Sequence, residues 1–135
     1  MTSNSSGEVP PHSPITSLAD LIVAVNQFAE QRDWEQFHTP KNLAMALNVE
    51  ASELMEHFQW LTQQQSSTLD PEKQEAVAME MADVLIYLVR MASQLDIDLL
   101  EAAQKKIILN SKKYPIEQAK GRADKYTQYQ QEPNP

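Results

Sequence analysis

An apolar segment at residues 76–89 constrains the fold more than any other feature of the sequence. It predicts a helix that is apolar on nearly every side, which is more apolar surface than one small monomer can cover. The chain has 135 residues, which indicates a single domain with a modest core, so the helix hints at burial against another subunit. Glu80 and Asp83 nevertheless lie in the middle of the segment, with no Lys or Arg inside it.

The remainder of the chain also favours helices. Only two glycines occur and β-branched runs are scarce, so we expect an all-α domain that resembles a four-helix bundle. Helix caps and apolar periodicity predict helices at residues 17–31, 39–62, 70–95 and 98–114. Polar residues 1–14 and 128–135 predict disordered tails around a helical domain at residues 15–127.

Composition and charge exclude several classes of protein. The net charge is −8, from 11 basic and 19 acidic side chains, so nucleic-acid polymers and anionic lipids are poor partners. The absence of cysteine excludes disulfides and thiolate zinc sites, and it fits a reducing compartment. No apolar run approaches the roughly 20 residues of a membrane span, and the N-terminus lacks the features of a secretory signal. We therefore expect a cytoplasmic protein, or a nuclear one in a eukaryote.

Acidic pairs occur on two successive predicted helices. Glu50 lies inside the apolar stripe of the second helix with Glu53 at its edge, and Glu80 and Asp83 repeat this arrangement on the third. Buried carboxylates without partners are costly, and neighbouring carboxylates raise one another's pKa values. A divalent cation removes this repulsion, and oxygen ligands without His or Cys suit Mg²⁺ or Mn²⁺. We therefore predict a magnesium site formed by these four carboxylates.

A simpler interpretation exists for any one of these pairs. Acidic residues three apart on a helix usually belong to a solvated face or pair with a lysine on a neighbouring turn. Two pairs that both lie inside apolar stripes favour the metal site over this interpretation. The spacing of the acids still leaves the reaction undefined.

Three segments of the chain form a familiar pattern, and they are RDWEQFHTPKNLAMALNVEASELMEHFQW (32–60), EMADVLIYLV (80–89) and KYP (113–115). Together they resemble the MazG-like nucleoside triphosphate pyrophosphohydrolases, which are all-helical enzymes, and their pattern follows the dCTP pyrophosphatase branch. The resemblance extends over residues 17–127. Its motif combines an ExxE pair, an ExxD pair and a Lys-Asn-Lys-Tyr-Pro region, which here are Glu50, Glu53, Glu80, Asp83, Lys106, Asn110, Lys113, Tyr114 and Pro115.

The resemblance implies cleavage between the α- and β-phosphates of a nucleoside triphosphate, which releases a monophosphate and pyrophosphate. The four carboxylates would hold Mg²⁺, which neutralises phosphate charge and makes a bound water more acidic. Glu53, as the base for that water, and Glu80 would be the catalytic residues. The residues that would bind the substrate are Trp34, His38, Trp60, Tyr87, Lys106, Asn110, Lys113, Tyr114 and Lys125.

Separate parts of the nucleotide are expected to meet separate groups of these residues. Lys106, Asn110 and Lys113 share one face of the fourth helix and would bind phosphate oxygens, although by spacing alone they indicate a solvated stripe. The two tryptophans and His38 would surround the base, although by spacing alone they fit core or surface positions. The hydroxyl of Tyr87 would reach the sugar and could crowd a 2′-hydroxyl.

We expect an Mg²⁺-dependent enzyme that acts on dCTP or a modified dCTP. A broad house-cleaning enzyme for noncanonical triphosphates would keep the chemistry and change the base. A non-catalytic helical interaction module that binds metal structurally is a third interpretation, and the intact acids argue against it. We also expect a homotetramer, arranged as a dimer of dimers, in which a neighbouring chain could supply His38 or Lys125 to the pocket.

Overall fold

The computed structural model describes residues 14–125 and residue 127, and all regular secondary structure in this part of the chain is helical. The all-α prediction is therefore confirmed. The helices are α1 (Leu18–Gln31), α2 (Pro40–Glu56), α3 (Gln63–Ser66), α4 (Pro71–Gln94), α5 (Leu99–Lys113) and α6 (Ile116–Ala119). The tails predicted at residues 1–14 and 128–135 lie outside the described range, except for residue 14.

The chain divides into two compact units, one ending at Leu95 and the other beginning at Asp96. In the first unit, α4 packs against both α2 and α1. The core is small, and its buried apolar side chains are Ala29, Leu43, Val77, Val89 and Ala92. The second unit contains α5 and α6, and neither helix buries a side chain completely. None of the described helices combines the length and the apolarity needed to cross a membrane.

Side-chain caps fix where the four long helices begin. Each cap accepts a hydrogen bond from the backbone N–H three residues later, which satisfies a donor that the helix itself leaves unpaired. The caps are Ser17, Thr39, Asp70 and Asp98. Pro40 and Pro71 follow two of these caps at the first position of α2 and α4, where a missing N–H costs nothing. The starts of the two acidic helices are therefore set locally, as the sequence predicts.

The predicted end of α2 at Thr62 is wrong, because the helix ends at Glu56. Thr62 instead begins α3 through a reciprocal capping box with Gln65. The backbone N–H of Gln65 donates to the Thr62 hydroxyl (3.1 Å), and the Thr62 N–H donates to the Gln65 side chain (2.9 Å). This local pair competes with continuation of α2 and starts a short helix in the segment between the predicted second and third helices.

Asp98 and Glu101 have the spacing of a capping box, but only half of this motif forms at the start of α5. The carboxylate of Asp98 accepts from the backbone N–H of Glu101 (3.0 Å). The side chain of Glu101 pairs with Lys105 one turn later (2.7 Å) instead of returning to the cap. Glu101 therefore forms an ion pair with Lys105, four residues later, in place of the second capping hydrogen bond.

Much of the apolar surface of α4 is exposed in the isolated chain. The exposed large apolar side chains on this helix are Met79, Met81, Leu85, Ile86 and Leu88. These side chains show that α4 leaves apolar surface uncovered in the isolated chain, as the sequence predicts for a helix that is apolar on nearly every side.

Candidate functional site: an acidic cluster between two helices

Helices α2 and α4 run antiparallel in the first unit. The start of α2 lies against the end of α4, where the side-chain amide of Gln94 donates to the backbone carbonyl of His38 (2.9 Å). The middle of each helix carries acidic residues, and Glu50 of α2 lies beside Glu80 of α4. This register brings the two predicted acidic pairs to the same level of the helix pair.

Three carboxylates converge at this level. Glu50, Glu80 and Asp83 each offer one oxygen, and these oxygens all lie within 4.8 Å of one another. The two glutamates are half-buried and Asp83 is exposed. Glu53 is half-buried as well, and its carboxylate lies close enough to Glu50 to interact with it directly. The structure therefore brings together acids from both helices, with Glu53 beside the three that converge.

The environment of Glu50 favours its protonated form. Burial, followed by hydrogen bonding with Glu80 and with Glu53, raises the pKa of Glu50 to about 7, and the charges of Glu53 and Asp83 add to this effect. A hydrogen bond between two carboxyl groups requires a proton on one of them. Near neutral pH and without a cation, the cluster therefore holds a proton that an isolated glutamate would have lost.

The cluster contains carboxylate oxygens that lack ordinary partners. Oε2 of Glu50 and Oε2 of Glu80 are buried, and no donor among the described residues hydrogen-bonds to either atom. The ion pairs found within residues 14–125 join Lys105 to Glu101 and Arg122 to Asp124, so neither neutralises the cluster. Hard oxygen donors in this state fit a divalent cation such as Mg²⁺ or Mn²⁺. A solvated acidic face paired with lysine would not leave such oxygens buried.

The aromatic residues predicted to contact the substrate occupy different environments. The rings of Trp34 and His38 lie 5.9 Å apart, and Trp34 also packs edge-on against Phe28 at 5.6 Å. Trp34 is 41% exposed, so part of its indole remains available for another ring. Trp60 follows the end of α2 and is 87% exposed. Tyr87 is half-buried on α4, one turn after Asp83.

The basic residues predicted to contact phosphate belong to the second unit. Lys106, Asn110 and Lys113 lie along α5 at spacings that keep them on one face. Tyr114 caps the end of this helix, and its backbone N–H donates to the carbonyl of Asn110 (2.8 Å). Lys125 is exposed beyond α6. Their role in binding remains a prediction.

Arg90 is a further residue of the first unit, and the sequence pattern does not predict it. It is 4% exposed, its Nε donates to Nδ1 of His38 (3.1 Å), and its Nη1 donates to Oδ1 of Asn26 (2.8 Å). Asn26 in turn donates to Oγ of Ser93 (3.2 Å). The available signal is an arginine directly after the apolar run of α4, seven residues beyond Asp83 and so on nearly the same helix face.

Comparison with known proteins identifies the family of this chain. The model of the MazG-like family matches residues 45–128, which include all four predicted ligands. The dCTP pyrophosphatase 1 of Mus musculus is 42% identical over 117 residues, or 85% of this chain and 69% of the relative. That of Homo sapiens is 41% identical over 118 residues, or 86% and 69%. The crystal structure of a pyrophosphatase from Archaeoglobus fulgidus aligns with a TM-score of 0.60 and 33% identity, covering 77% of this chain and 97% of that one. The chain therefore belongs to the MazG-like family.

Proposed function

We propose that this chain is an Mg²⁺-dependent pyrophosphohydrolase that converts dCTP, or a modified dCTP, to the monophosphate and pyrophosphate. The class of nucleoside triphosphate pyrophosphatase rests on membership of the MazG-like family and on the pyrophosphatase from Archaeoglobus fulgidus. The preference for dCTP rests on the mouse and human relatives, which are named for that substrate.

The convergence of Glu50, Glu80 and Asp83 carries the proposal. Two of these residues bury an oxygen that no described donor satisfies, and coordination of a cation would satisfy both. When bound, Mg²⁺ would neutralise charge on the triphosphate and make a bound water more acidic. Asp83 is exposed, so in this proposal the triphosphate would approach the cluster from the side of Asp83.

Glu53 is the residue that we assign as general base. It lies beside Glu50 but is not among the three converging ligands, so its oxygens remain available for the proton of the attacking water. Glu80 would act by holding the cation. In this assignment Glu50, Glu80 and Asp83 would hold the cation and Glu53 would accept the proton. Glu80 is one of the three converging acids, whereas Glu53 lies beside them.

The base, sugar and phosphates would contact separate groups. Trp34 and His38 are neighbours and would bind the base, with Trp60 as a further aromatic contact. Tyr87 lies one turn from Asp83 and would approach the sugar. The phosphates would bind the polar and basic residues of the second unit, which are Lys106, Asn110, Lys113, Tyr114 and Lys125.

The working assembly in this proposal is a homotetramer in the cytoplasm, formed as a dimer of dimers. The exposed apolar side chains of α4 support it, because a surface of this kind on a small protein is usually covered by another chain. The acidic net charge of −8 agrees with a small nucleotide as the ligand in place of a nucleic-acid polymer.

A panel of triphosphates tests the proposal. Release of pyrophosphate would be measured with Mg²⁺ for dCTP, 5-methyl-dCTP, CTP, the other deoxynucleotides and an oxidised purine triphosphate. Preferred turnover of dCTP or its methylated form is the expected result. Similar turnover across damaged purine and pyrimidine triphosphates would instead indicate a broad house-cleaning enzyme. No turnover of any triphosphate would contradict the proposal and leave a non-catalytic metal-binding module.

A further inference from the structure

Arg90 is the sole charged side chain that is buried within the described part of the chain. Its guanidinium is held between two elements, because Nη1 donates to Oδ1 of Asn26 in α1 (2.8 Å) and Nε donates to Nδ1 of His38, just before α2 (3.1 Å). Asn26 is itself fixed by a hydrogen bond to Ser93 of α4 (3.2 Å). The guanidinium plane is therefore set by partners on both sides.

The hydrogen bond between Arg90 and His38 determines where the imidazole carries its proton. Arginine stays protonated in proteins, so Nε of Arg90 always bears a hydrogen and can only donate. Nδ1 of His38 must then accept, which it can do only when it carries no proton. A neutral imidazole with an unprotonated Nδ1 carries its proton on Nε2.

We propose that Arg90 is a positioning residue that holds His38 as the neutral Nε2–H tautomer, so that His38 offers one fixed donor beside Trp34 to an acceptor atom of the nucleotide base. The identity of the ligand rests on the proposed function. The tautomer itself rests on the contacts of Arg90 alone.

The surroundings of His38 agree with a neutral and immobile donor. Burial, and then the charge of Arg90, lower the pKa of His38 below its ordinary value. The backbone is fixed on both sides, since the N–H of His38 donates to the carbonyl of Trp34 (3.0 Å) and Gln94 donates to the carbonyl of His38 (2.9 Å). Ring and backbone are therefore both held in place before a ligand arrives.

The position beside Trp34 suggests how the donor would be used. The two rings lie 5.9 Å apart, and Trp34 is partly exposed. An aromatic face stacks on any base, whereas a directed hydrogen bond distinguishes one base edge from another. A fixed Nε2–H would pair with a carbonyl oxygen or an unprotonated ring nitrogen. Its loss should therefore weaken binding of the nucleotide more than it slows the chemical step.

Nuclear magnetic resonance of the free protein tests the tautomer without any substrate. Side-chain ¹⁵N–¹H correlation spectra of the full chain at neutral pH are expected to show His38 with an unprotonated Nδ1 and a protonated Nε2, with His38→Gln used for assignment. Arg90→Met should yield a mixture of tautomers. The control Lys41→Met removes an exposed positive charge near the start of α2 and should leave the His38 signals unchanged. A wild-type His38 that is protonated at Nδ1 would overturn the proposal.

Kinetics with dCTP and Mg²⁺ test the use of the donor. Arg90→Met is expected to raise KM roughly fivefold to tenfold while kcat changes by less than about twofold. His38→Phe should raise KM similarly, and His38→Gln, which keeps one acceptor and one donor, should restore it. If Arg90→Met loses its helical circular dichroism, the KM values of the two His38 variants test the proposal in its place. An unchanged KM in His38→Phe would overturn the positioning role. A wild type that hydrolyses no triphosphate refutes the proposed function, while the spectra still decide the tautomer.

Discussion

Glu50 of α2 and Glu80 of α4 bring carboxylate oxygens to within 4.8 Å of each other, although they are far apart in the sequence and both are acids. Such a contact between two carboxyl groups is favoured while one of them is protonated, and the surroundings of Glu50 raise its pKa to about 7. As the pH rises and this proton is lost, the two groups repel each other unless a cation takes its place. The following predictions come from this contact and from the surfaces around it.

Cation binding is expected to tighten as the pH rises through about 7, because Glu50 must lose its proton to act as a ligand. The apparent Kd for Mn²⁺, measured by calorimetry, should fall about tenfold between pH 6 and pH 8 if one proton is displaced. Glu56→Gln alters an exposed acid of the same helix and should preserve this dependence. An affinity that does not change over this range would show that no ligand titrates there.

The stability of the metal-free protein is expected to decrease as the pH rises from about 4.5 to about 7. In this window the folded state retains the proton on Glu50, while the unfolded chain, with the ordinary glutamate pKa of 4.5, has lost it. The folded state therefore binds more protons, and the free energy of unfolding falls with rising pH. Urea unfolding in the presence of EDTA at several pH values would measure this.

Glu50→Gln should remove most of that decrease, because glutamine does not titrate. Saturating Mg²⁺ should also reverse it in the wild type, since the cation stabilises the deprotonated cluster. A metal-free wild type whose stability rises steadily across the same window would indicate that Glu50 titrates in its normal range.

Glu80→Gln is expected to reduce turnover of dCTP by about 100-fold or more while the helical content is retained. The substitution keeps the shape of the side chain and removes the negative charge that holds the cation. Steady-state kinetics and circular dichroism would provide the two measurements. Glu75→Gln on the same helix is a matched control, because Glu75 is exposed and lies outside the cluster. Equal losses in both variants would point to a general effect of charge.

The apolar surface of α4 is expected to mediate assembly. A double substitution of Leu85 and Leu88 by glutamate would place two charges on exposed apolar positions one turn apart. Sedimentation velocity should then show a species smaller than the tetramer expected for the wild type, because burial of unpaired charge opposes association. As a control, Gln63→Glu together with Gln64→Glu adds the same charge at exposed positions of α3. A wild type that sediments as a monomer would contradict the proposed assembly.

Features set by nearby residues could be predicted from the sequence. The starts of α2 and α4 depend on Thr39–Pro40 and Asp70–Pro71, in which the cap and the proline are adjacent. The end of α2 was harder to predict, since apolar periodicity continues past Glu56 and the competing pair of Thr62 and Gln65 becomes clear only from its hydrogen bonds. The end of a helix is therefore harder to predict than a start that a cap and a proline specify.

The two helix faces of the acidic cluster could also be predicted, because periodicity places Glu50 and Glu80 within apolar stripes. The approach of their carboxylate oxygens to within 4.8 Å depends on the register of α2 against α4, which no local pattern specifies. The hydrogen-bond network of Arg90 depends even more on contacts between distant parts of the chain. Its partner Asn26 lies 64 positions earlier in the chain, so the burial of this arginine follows from tertiary packing alone.

The raised pKa of Glu50 makes filling of the acidic cluster an exchange of a proton for a cation. Each cation that binds releases a proton from Glu50 into the solution, so a weakly buffered sample should acidify as the site is loaded. The degree of loading would then report two properties of the surroundings at once, the supply of the ion and the local acidity.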